Sequence, residues 1–205
     1  MSASLLFSCR EATKERLPYY NTPDFNPLFI SNANELNTKV RHHIADFSFT
    51  DQHNQTITQA DVEGKIHVAD FFFTSCGSIC PVMTDHMKII DSAYRDDPDV
   101  ALLSYSVTPW IDRVAVLDSY AKRNQITNKN WHLLTGSKAE IYQLARQSYF
   151  AEEDLGFTKD STNFLHTEHF ILIDRNKRIR GIYNGTLELE IRQLVKDIAT
   201  LKDEE

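Results

Sequence analysis

The chain has 205 residues, of which 41% are hydrophobic and 25% charged, and its formal net charge is −7. These values are typical of one globular domain with extensions, and the acidic balance argues against nucleic acid as a partner. No run of about 18 apolar residues occurs, so the sequence predicts no transmembrane helix.

The start of the chain contains a short apolar run, Leu5–Cys9, that ends in a cysteine. A small residue followed by cysteine resembles the end of a bacterial lipoprotein signal, in which the cysteine becomes lipid-modified. The basic start and long apolar region of such a signal are missing, so this would be the tail of a trimmed signal. The alternative is a stray cysteine. Residues 10–40 are rich in Pro, Asn, Thr and Glu, which predicts a tether with little helix or strand. We therefore expect a tether at 1–40 and a single domain at 41–205.

Hydrophobic periodicity after residue 44 predicts a hairpin followed by alternating strands and helices. The hairpin pairs Ala45–Thr50 with Thr56–Thr58. Strands alternating with crossover helices predict an α/β fold with a central mixed sheet flanked by helices. The further strands are expected at 68–73, 100–107, 131–134, 170–174 and 178–183, and the helices at 81–93, 114–122, 138–149 and 187–201.

The strand at 68–73 leads directly to two cysteines four positions apart, Cys76 and Cys80, and Pro81 follows. Proline suits the first position of a helix, and the amino end of a helix stabilises thiolate, so we expect lowered cysteine pKa values. Strand, dithiol loop and helix form an arrangement of thioredoxin type, although C-x-x-x-C is one residue longer than the redox motif C-x-x-C. Such a pair can exchange disulfides, bind a soft metal, or do both.

Two other roles for the pair are less favoured. A structural disulfide would gain little, because closing so short a loop removes little entropy from the unfolded chain. A structural zinc site needs four ligands, and the third cysteine, Cys9, is far away in sequence.

A third ligand can be sought at His166 or His169, just before the strand near residue 170. The two histidines are an odd number of residues apart, so in an extended chain they point to opposite faces and only one can face the cysteines. A lone histidine at the start of a strand is by default a polar loop residue. Two cysteines elsewhere change that expectation, because Cys, Cys and His form a compact three-coordinate set for copper.

The chain resembles the Sco/SenC family, thioredoxin-fold copper proteins that help to assemble cytochrome c oxidase. The resemblance covers residues from about 44 to 201. It rests on an aromatic strand running into C-x-x-x-C-P and on a histidine six residues before Leu172. Val107–Asp112 further resembles the family's strand-end signature, and Trp131–Gly136 resembles its L-T-G strand.

The resemblance implies that Cys76, Cys80 and His166 bind copper, as Cu(I) or Cu(II), and that the two cysteines also form a redox dithiol. His169 falls where the family needs no histidine. Many members carry an acidic residue just before the ligand histidine, whereas this chain has Leu165. Any partner contact or redox tuning that uses such a carboxylate is therefore not implied here.

Two functions are consistent with these residues. The first is a copper-binding assembly factor that delivers copper to a cytochrome c oxidase copper site, or prepares its thiols, with an oxidase subunit and a thiol reductant as partners. The second is a thiol–disulfide oxidoreductase. The first is favoured because disulfide exchange does not need His166, and because no proline precedes Phe170 where thioredoxins place one opposite their dithiol. Such a factor would act in the bacterial cell envelope, outside the cytoplasm, with lipid on Cys9 as a membrane anchor.

Three further observations leave alternatives open. Asp70 in the apolar strand either lies beneath the dithiol and assists proton transfer, or lies at a solvent-exposed edge of the strand. Trp110 and Ile111 form part of a docking surface or pack internally. The helix after the cysteines offers a fourth soft ligand at Met83, His86 or Met87, or simply core residues.

Overall fold

The computed structural model describes residues 16–151 and 167–204. It confirms a mixed α/β fold with a central sheet flanked by helices, and most elements lie within two residues of their predicted bounds. The elements in chain order are α1 (Ala33–Lys39), β1 (Ser48–Thr50), β2 (Thr56–Thr58), a 3-10 turn (Gln59–Asp61), β3 (Ile66–Phe72), α2 (Ile79–Tyr94), β4 (Val100–Ser106), α3 (Val114–Arg123), β5 (Trp131–Leu134), α4 (Lys138–Gln147), β6 (His169–Ile173), β7 (Ile179–Asn184) and α5 (Glu188–Glu204). In this part of the chain, no helix is both long and apolar enough to cross a membrane.

The central sheet has the strand order β5-β4-β3-β6-β7. Strands β3, β4 and β5 are parallel, whereas β6 runs antiparallel to β3, and β7 antiparallel to β6. All seven residues of β3 are buried because a strand lies on each side of it and structure covers both of its faces. This explains why β3 is a nearly continuous apolar run in the sequence.

Alternate residues of β3 point into two separate cores. Ala69 and Phe71 pack with the β1–β2 hairpin and α4, and we call this the hairpin-side core. Val68 and Phe72 pack with α2, α3 and α5 in the second core. We call the second the dithiol-side core because Cys80 is one of its members.

The predicted hairpin is a separate two-stranded sheet that attaches to the end of β5. Thr50 pairs with Thr135, and the Gln52 side chain donates to the Trp131 carbonyl at 2.9 Å and accepts from the Leu133 N–H at 2.8 Å. A Cβ atom at Gly136 would lie 2.8 Å from the Phe49 ring. The glycine of the L-T-G motif is therefore required by close packing against the hairpin.

The part of the predicted tether that the structure describes is more ordered than expected. Residues 33–39 form α1, and Tyr20 pairs with Ile179 at the start of the edge strand β7. Asn21 also accepts hydrogen bonds from the backbone N–H groups of Arg41 and His42. Residues 17–28, which we call the N-terminal segment, thus lie against the domain, while the division at residue 40 stays a prediction.

A buried arginine holds the beginning of the N-terminal segment. Arg180 of β7 is 2% exposed and donates to the carbonyl oxygens of Leu17 and Pro18 and, at 2.6 Å, to the Glu204 carboxylate. Its guanidinium also lies 3.9 Å from the centre of the Tyr19 ring. The Leu17 N–H donates to the same Glu204 at 2.7 Å, so one buried charge pair links both ends of the described chain.

Candidate metal centre

The two cysteines lie where the central strand β3 meets the start of α2. The helix begins at Ile79, so Cys80 and Pro81 are its second and third residues rather than the cap and first residue that the sequence suggested. Proline is accepted throughout the first turn, because those N–H groups have no partner within the helix. Cys80 is 3% exposed and Cys76 is partly exposed, and both are free thiols hydrogen-bonded to each other.

The two thiols ionise differently. Burial raises the pKa of Cys76, but hydrogen bonds with the Cys80 thiol and with the backbone of Ser78, Ile79 and Cys80 outweigh burial and lower it overall. Burial raises the pKa of Cys80 to about 12, and the hydrogen bond to Cys76 and the nearby Asp70 charge add to this effect. The expectation of two lowered pKa values therefore holds for Cys76 and is wrong for Cys80, which lies deeper in the apolar core.

Asp70 lies inside the protein on the same face of β3 as the dithiol-side core. It is 4% exposed and lies on the central strand, so the alternative of a solvent-exposed strand edge is wrong. Burial raises its pKa to about 7, opposed by a hydrogen bond from Ser104, the residue opposite it on β4. Its Oδ1 atom has no hydrogen-bond partner among the described residues. The carboxyl group and the Cys80 thiol each disfavour the ionised form of the other.

The loop that carries Cys76 is fixed by a buried carboxylate that sequence reasoning did not single out. Asp112 is fully buried and accepts hydrogen bonds from both the N–H (3.1 Å) and the hydroxyl (2.5 Å) of Thr74. The hydroxyl groups of Ser106 and Thr108 donate to the same carboxylate. Asp112 is the last residue of the Val107–Asp112 signature, and this signature was the sequence signal that could have identified it. Its hydrogen bonds connect the end of β4 to the loop that carries Cys76.

The third expected ligand, His166, lies outside the described residues, as does Cys9. His169 is described, and it lies on the hairpin-side face together with Ile171, with its ring against Phe25. Since both cysteines belong to the dithiol-side core, His169 lies on the opposite face of the sheet. His169 is therefore not a histidine that faces the cysteines.

The other candidates are the three residues of α2 and the pair Trp110 and Ile111. Met83 and Met87 are each 1% exposed within the dithiol-side core, and the His86 ring bonds to the Gly185 carbonyl at 2.7 Å. Trp110 and Ile111 are 48% and 47% exposed, so the internal-packing alternative is wrong for both. Across residues 16–151 and 167–204, no three His, Cys, Asp or Glu side chains come together in a way that could hold a metal ion.

Fold and site together define a thioredoxin-like protein with a dithiol at the carboxyl end of its central strand. The family model described as SCO1/SenC matches residues 36–203, and the chain belongs to this family. The SCO1 protein homolog of Bacillus subtilis (strain 168) is 28% identical over 173 residues, which are 82% of this chain and 89% of that protein.

One solved structure supports the same assignment, and a second has the same fold. A SCO1/SenC family lipoprotein from Bacillus anthracis str. Ames superposes with a TM-score of 0.68 at 28% identity, covering 80% of this chain and 96% of that chain. ScoI of Bradyrhizobium japonicum, solved with copper bound, gives a TM-score of 0.60 at 24% identity, covering 77% and 98%. The similarity to ScoI shows only that the two proteins share a fold.

Proposed function

We propose that this protein is a copper-binding assembly factor for cytochrome c oxidase, which binds copper through Cys76, Cys80 and His166. It hands the metal to an oxidase subunit or prepares the thiols of that subunit's copper site. The observation that carries the proposal is the pair of free, hydrogen-bonded thiols at the end of the central strand, one partly exposed and one buried. Membership of the SCO1/SenC family supports it.

The chemistry of this pair suits copper. Thiolates are soft ligands and favour Cu(I) over hard cations such as Mg²⁺ or Ca²⁺. The lowered pKa of Cys76 provides one thiolate readily, whereas Cys80 must lose its proton as the metal binds. Among the described residues, no further His, Cys, Asp or Glu joins the two sulfurs in a set of three, so we assign the third ligand to His166.

The geometry of β6 supports His166 as that donor. Strand β6 pairs antiparallel with β3, with Ala69 opposite Ile171, so chain positions before His169 run toward the end of β3 that leads to the cysteines. Phe170 and Leu172 face the dithiol-side core, and residues separated by an even number share a face in an extended strand. An extended continuation of β6 would therefore bring residue 166 to the face that bears the cysteines.

The second candidate function is thiol–disulfide exchange with a partner protein. It is favoured by the partly exposed Cys76 with its lowered pKa, next to a buried thiol able to resolve a mixed disulfide. The two functions differ in their need for a histidine, since exchange requires only the two sulfurs.

Copper titration of the fully reduced protein, with competition for a chelator of known affinity, separates the two functions. We expect one copper per chain in the native protein. His166→Ala should weaken binding by at least about tenfold, as loss of an oriented ligand does, and should leave the rate of disulfide exchange unchanged. His169→Ala is the matched control and should bind like the native protein. Equal affinity in the native protein and His166→Ala would remove His166 from the ligand set.

We further propose that the protein acts in the bacterial cell envelope, outside the cytoplasm, and that lipid on Cys9 anchors it to the membrane. The Bacillus anthracis relative is a lipoprotein, which supports this location. Mass spectrometry of the protein from native membranes tests it directly. A diacylglyceryl mass on Cys9 is expected, and an unmodified Cys9 would contradict the anchor.

A further inference from the structure

The loop that follows β4 exposes two large apolar side chains close to the dithiol. Trp110 and Ile111 are both close to half exposed. The next residue, Asp112, accepts hydrogen bonds from Thr74, which lies two residues before Cys76. Two residues of chain on each side of this contact place Trp110 within roughly 20 Å of Cys76. The exposed pair therefore lies at the end of the sheet that carries the thiols.

Hydrogen bonds fix the conformation of this loop. The N–H groups of Ile111 and Asp112 both donate to the Thr108 carbonyl, at 2.8 and 2.9 Å. From α4, the Tyr142 hydroxyl donates to the Val107 carbonyl at 2.8 Å. A surface that is already ordered loses little conformational freedom when a partner binds to it. The exposed pair is thus ready for contact without rearrangement.

Two cations flank the exposed pair. The Nζ atom of Lys138, the first residue of α4, lies 4.9 Å from the centre of the Trp110 ring and 5.1 Å from that of Tyr142. Arg113 is exposed at the start of α3. In the described part of the chain, neither cation forms an ion pair with a carboxylate. We call Trp110, Ile111, Arg113 and Lys138 the Trp110 surface, which is locally positive on a chain of formal net charge −7.

Other exposed apolar side chains at this end of the sheet lie in a different electrostatic setting. Leu187 and Leu189 follow β7, which runs in the same direction as β3 because both are antiparallel to β6. Glu188 lies between them and pairs with Arg192 at 2.5 Å. Charge is therefore balanced beside these two leucines, whereas the Trp110 surface carries an excess of positive charge. This difference indicates that a partner of the Trp110 surface is acidic.

We propose that the Trp110 surface binds the partner protein whose sulfur atoms meet Cys76, through a partner segment that combines an apolar side chain with carboxylates. This inference rests on the proposed function, since that partner is the protein that receives copper or has its thiols prepared. A tryptophan buried in an interface contributes affinity, and cations beside it speed the encounter with an acidic partner. Binding there brings the partner to the partly exposed Cys76 rather than to the buried Cys80.

Two short peptides, each with one internal disulfide, serve as probes in the absence of copper. The acidic peptide carries leucine and glutamate beside the disulfide, and the basic peptide has lysine in place of each glutamate. The Cys76 thiolate bonds to one peptide sulfur as the peptide disulfide breaks, and Cys80 then displaces the peptide. Two electrons and two protons pass from the protein thiols to the peptide, and a Cys76–Cys80 disulfide remains. The full chain carries Cys9→Ser, which removes the third thiol.

The measured quantity is the second-order rate constant of peptide reduction at low salt. Each value is divided by the rate constant of the same protein with a small neutral disulfide, so that any change in the thiols themselves cancels. Trp110→Ala and Lys138→Glu test the surface, and glutamate suits the first turn of α4. Phe29→Ala, at a side chain that is 74% exposed, is the control for the aromatic change. Lys129→Glu, at an exposed residue just before β5 and away from the thiols, is the control for the charge change.

We expect the native protein to reduce the acidic peptide about tenfold faster than the basic one, the scale of electrostatic steering. Trp110→Ala should lower the rate with the acidic peptide by about fivefold to tenfold, the effect of truncating an interface aromatic. Lys138→Glu should abolish the preference for the acidic peptide. Phe29→Ala and Lys129→Glu should behave like the native protein.

A faster reaction with the basic peptide would overturn the inference, because the net charge of the whole chain alone favours that outcome. Equal rates for the two peptides, or for Trp110→Ala and Phe29→Ala, would also overturn it. So would a dimer that Trp110→Ala dissociates, or binding to phosphatidylglycerol vesicles that Trp110→Ala abolishes, because the occupant would then be a second copy or a membrane. Failure of the proposed function appears separately, as absent copper binding by the native protein.

Discussion

The Asp112 carboxylate accepts two hydrogen bonds from Thr74, one from its N–H and one from its hydroxyl group, and so fixes the loop two residues before Cys76. Asp112 is fully buried, and the hydroxyl groups of Ser106 and Thr108 satisfy its remaining lone pairs. A buried carboxylate contributes to stability only when all of its hydrogen bonds are formed. Replacing Asp112 should therefore lower the stability of the fold and disturb the loop that carries Cys76.

We predict that Asp112→Asn lowers the free energy of unfolding by about 2–4 kcal/mol, because the amide cannot accept from all four donors. It should also make the Cys76 thiol more accessible, since the loop loses its attachment to β4. Urea unfolding and the rate of Cys76 alkylation measure the two effects. Asp85→Asn on the exposed face of α2 is the control and should change stability by less than about 0.5 kcal/mol. Equal effects of the two variants would contradict the structural role of Asp112.

Asp70 should make the reduced protein less stable as the pH rises. Its pKa is about 7 in the folded state and about 3.9 when unfolded, so the folded state binds more protons between these values. The contribution of Asp70 to stability is complete below about pH 4 and is lost as the pH rises through 7, by about 1.4 kcal/mol per pH unit. Asp70→Asn should remove this contribution and be more stable than the native protein at pH 8, and its stability should rise from pH 5 to pH 8 because the slope from His67 remains. Unfolding in urea at pH 5 and pH 8 tests it, and an unchanged difference would be contrary to the prediction.

His67, on the hairpin-side face of the same strand, should have the opposite effect. Its ring is buried against Tyr149, its Nδ1 has no partner among the described residues, and burial lowers its pKa to about 3. In the unfolded state the pKa of His67 is near 6.5, so that state binds more protons. The contribution of His67 to stability is therefore lost as the pH drops from about 6.5 toward 3. His67→Leu should abolish this loss and leave a protein that gains stability on acidification. The double variant with Asp70→Asn is the control and should follow the native pH profile, because the two slopes cancel between about pH 4 and 6.5.

The two cysteines should react in a fixed order. At pH 7 iodoacetamide should modify Cys76 before Cys80, at a rate at least about tenfold higher, because Cys76 is partly exposed and has the lower pKa. Peptide mass spectrometry of the reduced protein, with Cys9→Ser to remove the third thiol, measures both rates. The same order should hold after urea is added below the unfolding transition and should disappear above it. Equal rates in the folded protein would contradict the assigned pKa difference.

The sequence predicted the elements whose signals are local. The aromatic run before Cys76 indicated a covered central strand, and Pro81 indicated the start of a helix, within two residues of the observed start. The hairpin was predicted from the alternation of apolar and polar residues on each side of a polar turn. Each of these signals depends on neighbours in the chain, so no knowledge of the fold was needed.

What the sequence did not reveal depends on pairs of distant residues. Helix α1 has only seven residues, too short for a clear period, and the N-terminal segment is ordered by Arg180, more than 150 residues away. The pKa of Cys80 is raised, contrary to the prediction, because the thiol is buried under α2. The local sequence indicated only the start of a helix, which by itself would lower that pKa. The signature ending at Asp112 marked a position, but its contact with Thr74 required the fold.

The salt bridge between Arg180 and Glu204 has a consequence for how the domain would present its sulfur atoms. Ile179, next to Arg180, is level with Ile173 and therefore with His67, near the first residue of β3. Cys76 follows the last residue of β3, roughly 20 Å further along the sheet. Leu17 and Glu204, which this salt bridge holds together, thus both lie at the end of the sheet opposite the thiols. A protein held at that end would project its sulfurs outward, away from the surface that holds it.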